Sequence, residues 1–250
     1  MKFILVGSGS KGNASLIYTD KSLIQIDMGV PLKRIDESLS SIHREEKNIE
    51  ALFLTHEHVD HIGTLALYHG RVPVYASRGT FESEGVHLIA SGEKLRIGDF
   101  LMSPFSLSHD AANPLGYLVD DGTERLGYVT DTGYVPDDDL DLLKDCDYYV
   151  FESNHDLKML LHSDRPAVLK KRIHSDLGHL SNVDSATYMA ALIGPHTKKI
   201  YLAHLSEECN TPELALSTYR AVLQKRGVDL SSIEIVALKQ WEAVHGGDGE

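Results

Sequence analysis

Thr55-His56-Glu57-His58-Val59-Asp60-His61 is the stretch on which the reading of this chain turns. Its imidazoles and carboxylates follow the apolar, strand-like run Ile49 to Leu54 and precede a helix-like run, Ile62 to Tyr68. A turn at the end of a buried strand splays such side chains into one cavity, because irregular backbone breaks both the helical and the strand period. Gathered there without a cation, three imidazoles and a carboxylate are mutually unfavourable; with one, they are ligands. The chain has 14 His, so isolated pairs are expected by chance, and a lone His is most often a surface or satisfied core residue. Three around an Asp at a strand end point instead to metal. The zinc-protease helix motif is excluded, since His-Glu-x-x-His needs a second His where Asp60 stands. His56 and His58 alternate as in an extended segment and can serve one metal, while Asp60 and His61 turn towards a second.

At 250 residues and 27.7 kDa, with 42% hydrophobic residues, the chain can build one large core or two half-domains. The N-terminal apolar run Phe3 to Val6 is too short for a secretion signal, and no stretch reaches the roughly 18 apolar residues of a membrane span. A soluble cytoplasmic protein with no membrane association is expected. Cys146 and Cys209 lack disulfide-framework or metal-site spacing and read as reduced structural residues. A net charge of -13 argues against a protein that coats nucleic acid non-specifically. It does not exclude a nuclease, because two divalent ions would bring about four positive charges to the site of a phosphate.

Further strands are expected at Lys2 to Val6, Ala14 to Thr19, Leu23 to Ile26, Val72 to Ala76, Val86 to Ala90, Lys94 to Ile97, Phe100 to Leu107, Leu115 to Asp120, Arg125 to Thr130, Tyr148 to Phe151, Lys199 to Ala203 and finally Ile233 to Leu238. Helical patterns fall at Pro31 to Ile42, through Leu143, Leu157 to Leu161, Arg165 to Ile173, Val183 to Ile193 and Pro212 to Arg226. The end from Gly246 to Glu250 reads as frayed. The loop Gly7-Ser8-Gly9-Ser10-Lys11-Gly12-Asn13 offers hydroxyls and amides to an oxyanion. It lacks the Gly-Lys-Ser/Thr ending of a nucleotide P-loop and runs into a strand, so no nucleotide cofactor is expected there. Strand ends deliver Asp27, the His56 to His61 cluster, His109, Asp131, Glu152 and His204. Asp27 can orient a ligand His, and the two oxygens of Asp131 make it the candidate to bridge two cations. Recurrence at one kind of position implies a shared rim on an α/β scaffold, with two half-domains meeting near residue 115.

With these residues assembled, the chain resembles the metallo-β-lactamase-fold superfamily over essentially its whole length. His56-Glu57-His58-Val59-Asp60-His61 looks like its His-x-His-x-Asp-His signature, and Asp27, His109, Asp131 and His204 follow in the order of its other motifs. The resemblance implies a single domain of four-layer αββα sandwich form, residues 1–250, and a dinuclear site. It implies that His56, His58 and His109 hold one metal, that Asp60, His61 and His204 hold the other, and that Asp131 bridges them. Ser8 to Asn13, Tyr128 to Gly133, Glu152-Ser153-Asn154-His155-Asp156, Gly178-His179-Leu180-Ser181 and Ala203 to Ser206 resemble the YycJ/WalJ group, regarded as DNA 5'-to-3' exonucleases. Glu152 and His179 also resemble the Glu and His dyad of tRNA 3'-processing endonucleases, in which the His protonates the leaving oxygen.

The expected chemistry is hydrolysis by a metal-activated bridging water, with Asp60 as general base and with Glu152 holding His179 as general acid. Zinc, manganese and iron all suit the donor set. Lys158, Arg165, Lys170, Lys171 and Arg172 form a basic stretch between His155 and His179. Ser10, Asn13, His155, Lys170, Lys171 and Arg172 are the expected contacts to a nucleic-acid strand, expected to be DNA. A thioesterase- or lactonase-like small-molecule hydrolase, a tRNA 3'-processing-like endonuclease and a metal-binding scaffold without turnover are the alternatives.

Overall fold

A computed structural model describes residues 1–68 and 70–247. In chain order it contains β1 (Lys2–Gly7), β2 (Ala14–Tyr18), β3 (Leu23–Ile26), α1 (Leu32–Ser41), β4 (Ala51–Phe53), α2 (Val59–Ile62), β5 (Val74–Ala76), β6 (Val86–Leu88), β7 (Leu95–Ile97), β8 (Phe100–Ser106) and β9 (Leu115–Asp120). There follow β10 (Arg125–Val129), α3 (Asp137–Leu143), β11 (Tyr148–Glu152), α4 (Leu157–His162), α5 (Ala167–Ile173), α6 (Asn182–Leu192), β12 (Lys199–Ala203), α7 (Pro212–Lys225), β13 (Glu234–Ala237) and β14 (Val244–Gly247). The described strands form two mixed seven-stranded sheets. No helix among the described residues is long and apolar enough to cross a membrane.

The chain divides into two compact units. Unit 1 takes Met1–Ser106, Ala111–Thr123 and the segment that begins at Gln240, while unit 2 takes Leu107–Asp110 and Glu124–Lys239. Unit 1 holds a sheet ordered β14-β1-β2-β3-β4-β5-β6 and the antiparallel ladder β7-β8-β9. Phe3 to Val6 are all buried, so β1 is covered on both faces and needs no polar alternation. Leu32, Ile35 and Leu39 recur at helical spacing along α1, and Ile35 and Leu39 bury against a core that includes Ile4, Leu16, Leu52 and Tyr68. Unit 2 holds the parallel ladder β10-β11-β12-β13, with Tyr149, Phe151 and Tyr201 among its fully buried side chains.

Three local readings are corrected. The helix expected over Ile62 to Tyr68 is a single turn, α2, that starts at Val59, followed by a 3-10 turn at Leu65–Leu67. Thr64 interrupts it: its hydroxyl donates to the carbonyls of Met28 and Val30 at 2.8 and 2.9 Å, drawing the chain back onto the sheet. A strand also lies beyond Leu238. Val-His-Gly-Gly is a poor strand former, but β14 gains its order by pairing Gly247 with Lys2 and Gly246 with Phe3. Of the end expected to fray, Gly246 and Gly247 are therefore in this ladder, and residues 248–250 lie outside the described residues.

Candidate active site

In unit 1, β3 and β4 run parallel with Ile26 beside Phe53, so both strands end at one level. The next residue of β3 is Asp27; β4 continues through Leu54 and Thr55 into His56. Asp27 is fully buried in a left-handed backbone conformation, φ 60°. Its carboxylate accepts from the Thr55 N–H (2.8 Å), from the Thr55 hydroxyl (2.9 Å) and from His61 Nδ1 (2.7 Å). Burial raises the Asp27 pKa, against the lowering effect of His61. Having given its proton to Asp27, the Thr55 hydroxyl can accept from His56 Nδ1 at 3.1 Å. Both imidazoles are thereby held through Nδ1, and Nε2 is the atom each presents for coordination. The His56 ring lies 4.6 Å from that of His58 and 4.0 Å from that of His61, centroid to centroid. The Asp60 carboxylate is 3.5 Å from His61 Nε2.

This turn is clamped from beneath. Asn13 N–H donates to Asp60 O and Met28 N–H to His61 O, each at 2.7 Å. A Cβ on Gly29 would sit 1.7 Å from Asp60 O, so the closeness of the two segments requires glycine. Asn13 was expected at the substrate surface. Its side chain is turned inward instead, bonded to Gly9 and within 3.3 Å of Asp60 Oδ2 and 3.0 Å of His61 Nε2. Gln240 fastens the same loop through Lys11 N–H and Gly12 O, while Ser10 is exposed.

In unit 2 the parallel register sets Val129 beside Phe151 and Glu152 beside Ala203. Asp131, Glu152 and His204 are thus delivered at neighbouring strand ends. Asp131 (φ 55°) and His204 (φ 53°) repeat the left-handed backbone of Asp27. Such conformations are costly for residues with a Cβ and cluster where function fixes them. Asp131, Glu152, His179 and His204 each place a potential ligand atom within 4.8 Å of the others.

Glu152 has its oxygens engaged on several sides. Oε1 accepts from His179 Nδ1 (2.7 Å) and His204 Nδ1 (3.1 Å), and Oε2 from the N–H groups of Thr132 (2.9 Å) and Leu180 (3.1 Å). Burial alone would raise its pKa, but the charge and hydrogen bonds of His179 and His204 outweigh it and hold Glu152 at about 2. As a metal ligand it would forfeit these bonds; as an orienting carboxylate it keeps them. His109 donates from Nδ1 to Gly178 O (3.0 Å), which assigns Nε2 to coordination, and burial lowers its pKa, keeping the ring neutral as a ligand must be. Imidazoles fixed through Nδ1, together with carboxylates, form a donor set that fits a divalent transition metal.

The other expected contacts separate. His155 is fully buried and neither ring nitrogen has a hydrogen-bond partner among the described residues, so it is not a surface contact to a strand. Lys170 ties its ammonium to Leu161 O at the end of α4, Lys171 is exposed, and Arg172 is bonded to Asp110 beside His109. Two orienting residues carry no role in the sequence reading: Thr55, and Asn154, whose amide donates to His204 O at 2.9 Å. Both lie inside motifs quoted for other residues, and only the fold shows what their polar groups reach.

Two mixed sheets with flanking helices, carrying imidazole and carboxylate clusters at strand ends, define a metal-binding hydrolase of the metallo-β-lactamase fold. The sequence profile described as a beta-lactamase superfamily domain matches residues 33–205, and the chain belongs to that superfamily. It is 38% identical over 232 residues to Exodeoxyribonuclease WalJ of Streptococcus pneumoniae serotype 2, covering 87% of this chain and 86% of the relative. It is 36% identical over 241 residues to Exodeoxyribonuclease YycJ of Bacillus anthracis, covering 91% and 90%. Among solved structures, the metallo-β-lactamase fold protein YhfI of Bacillus subtilis superposes with a TM-score of 0.73 over 98% of this chain and 99% of that one, at 15% identity.

Proposed function

We propose that this protein is a metal-dependent phosphodiesterase that degrades DNA from its 5' end. The supporting observation is the 36–38% identity, over most of both chains, to two proteins named exodeoxyribonucleases. In this reading the two units act as one domain. His56, His58 and His109 would hold one divalent ion and Asp60, His61 and His204 a second, with Asp131 counted in both sets. Zinc, manganese or iron, when bound, would supply an acidified water and positive charge against a phosphoryl group.

The remaining work falls to the chain's own groups. The Asp60 carboxylate takes the proton of the attacking water. His179, with 16% of its side chain exposed, gives a proton from Nε2 to the leaving oxygen. Glu152 accepts from His179 Nδ1 at 2.7 Å and so fixes the orientation of the ring. It is a positioning residue.

The test is incubation of metal-loaded protein with 5'- and 3'-labelled duplex and single-stranded DNA and RNA. Release of mononucleotides from the 5' end of DNA is expected, with His179→Ala and Asp60→Ala each lowering kcat by about a hundredfold or more. Absence of cleavage by the wild type with any of the three metals would overturn the proposal, as would action on RNA alone.

A further inference from the structure

Beside His179, unit 2 carries an open pocket of about 450 Å³. That lies within the range of roughly 300–1,000 Å³ usual for small-molecule sites. Asp184 and Tyr188, on one face of α6, line it together with Tyr134, His174, Asp176 and His179. Gly133 closes the back: a Cβ there would stand 2.2 Å from Asp176 O, so the loop that carries Tyr134 lies flat against the segment that carries Asp176. Tyr134 is 42% exposed and Tyr188 half-buried, which leaves aromatic surface open to a ligand.

The charge of the lining decides what enters. Among the described residues no Lys or Arg lines the pocket, while two carboxylates do. A phosphate lodged between Asp176 and Asp184 would meet their repulsion with no Lys or Arg in the lining to offset it. An uncharged ring system would meet phenol faces for stacking and carboxylates that accept from ring N–H and amino groups. Ser181 Oγ holds Asp184 Oδ2 at 2.6 Å, which steadies that carboxylate at the start of α6.

We infer that this pocket is the subsite for the sugar and base of the nucleoside that leaves. The inference rests on the nuclease reading above and names which part of the substrate passes His179. In the cleavage of the first phosphodiester, water adds to phosphorus, its proton goes to Asp60, the P–O3' bond breaks, and the His179 proton goes to O3'. The products are a terminal nucleoside 5'-phosphate with a free 3'-hydroxyl and a shortened strand with a 5'-phosphate. The group carrying O3' is the terminal nucleoside, and His179 lines the pocket that receives it.

The experiment compares 5'-phosphorylated DNA strands identical except for the first unit, which is either a normal nucleoside or an abasic tetrahydrofuran. The metal-loaded full chain is expected to remove the abasic unit with a kcat/KM about tenfold lower. Tyr188→Ala should lower the normal substrate to the abasic level while changing the abasic rate little, and Tyr188→Phe, which keeps the ring face, should restore the difference. Equal rates on both strands by the wild type overturn the subsite and leave the nuclease reading standing. No cleavage of either strand overturns the nuclease reading and the subsite with it.

Discussion

At the scale of single residues, His155 shows what the motifs did and did not reveal. Its place in Glu152-Ser153-Asn154-His155-Asp156 suggested a substrate contact, but the side chain is buried 5.8 Å, ring to ring, from His174. Burial lowers its pKa from 6.5 to about 4. The unfolded chain therefore takes up this proton first, so the stability that His155 contributes is present above pH 6.5 and is lost as pH falls towards 4. Between pH 7 and pH 5 the loss is about 2 kcal/mol. Urea unfolding of metal-free protein at both values should show it, and His155→Leu should remove that part of the pH dependence. An identical pH dependence in the variant would mean that the ring titrates normally. Asp27, Asp131 and His204 were legible as strand-end residues from the order of apolar runs. Their left-handed backbone was not, because none is a glycine, the residue that ordinarily signals it.

At the scale of elements, most strands and helices were readable because apolar runs and periodicities survive folding. The misread pieces were those whose form is imposed from outside. Thr64 cuts α2 short by bonding across to Met28 and Val30, and β14 borrows its order from β1. The turn from His56 to His61 depends in the same way on its support. Gly29→Ala would drive a methyl into Asp60 O and to within 2.9 Å of His61 N. The backbone contact cannot yield as a flexible side chain would, so a destabilisation of about 4 kcal/mol and a displaced turn are expected. Metal retained after dialysis should fall, as should the melting temperature of the metal-free protein. A variant that keeps full metal content and stability would show that this close contact is not needed.

At the scale of the whole molecule, the superfamily was legible as a resemblance carried by the order of the metal-capable residues, and that resemblance implied the layered sheets. The interleaving of the units was not. A break near residue 115 describes a simple succession of halves, whereas unit 1 also claims the segment from Gln240 and unit 2 the short piece Leu107–Asp110. Such exchange is set by long-range pairing that no local pattern encodes. Ending the chain after Ala243 removes β14 and leaves the N–H and C=O groups on one side of β1 unpaired. A loss of about 2–3 kcal/mol is expected, read as a fall of roughly 5–10 °C in Tm, with concentration-dependent aggregation. An unchanged Tm would show that the ladder carries no weight.

Lys2 pairs with Gly247, so one side of β1 waits for residues synthesised 245 positions later. At translation rates of roughly 5–20 residues per second, a nascent chain presents that open edge on the ribosome for about ten to fifty seconds. The growing polypeptide is for that interval a client for chaperones that shield sticky strand edges, whatever the stability of the finished enzyme.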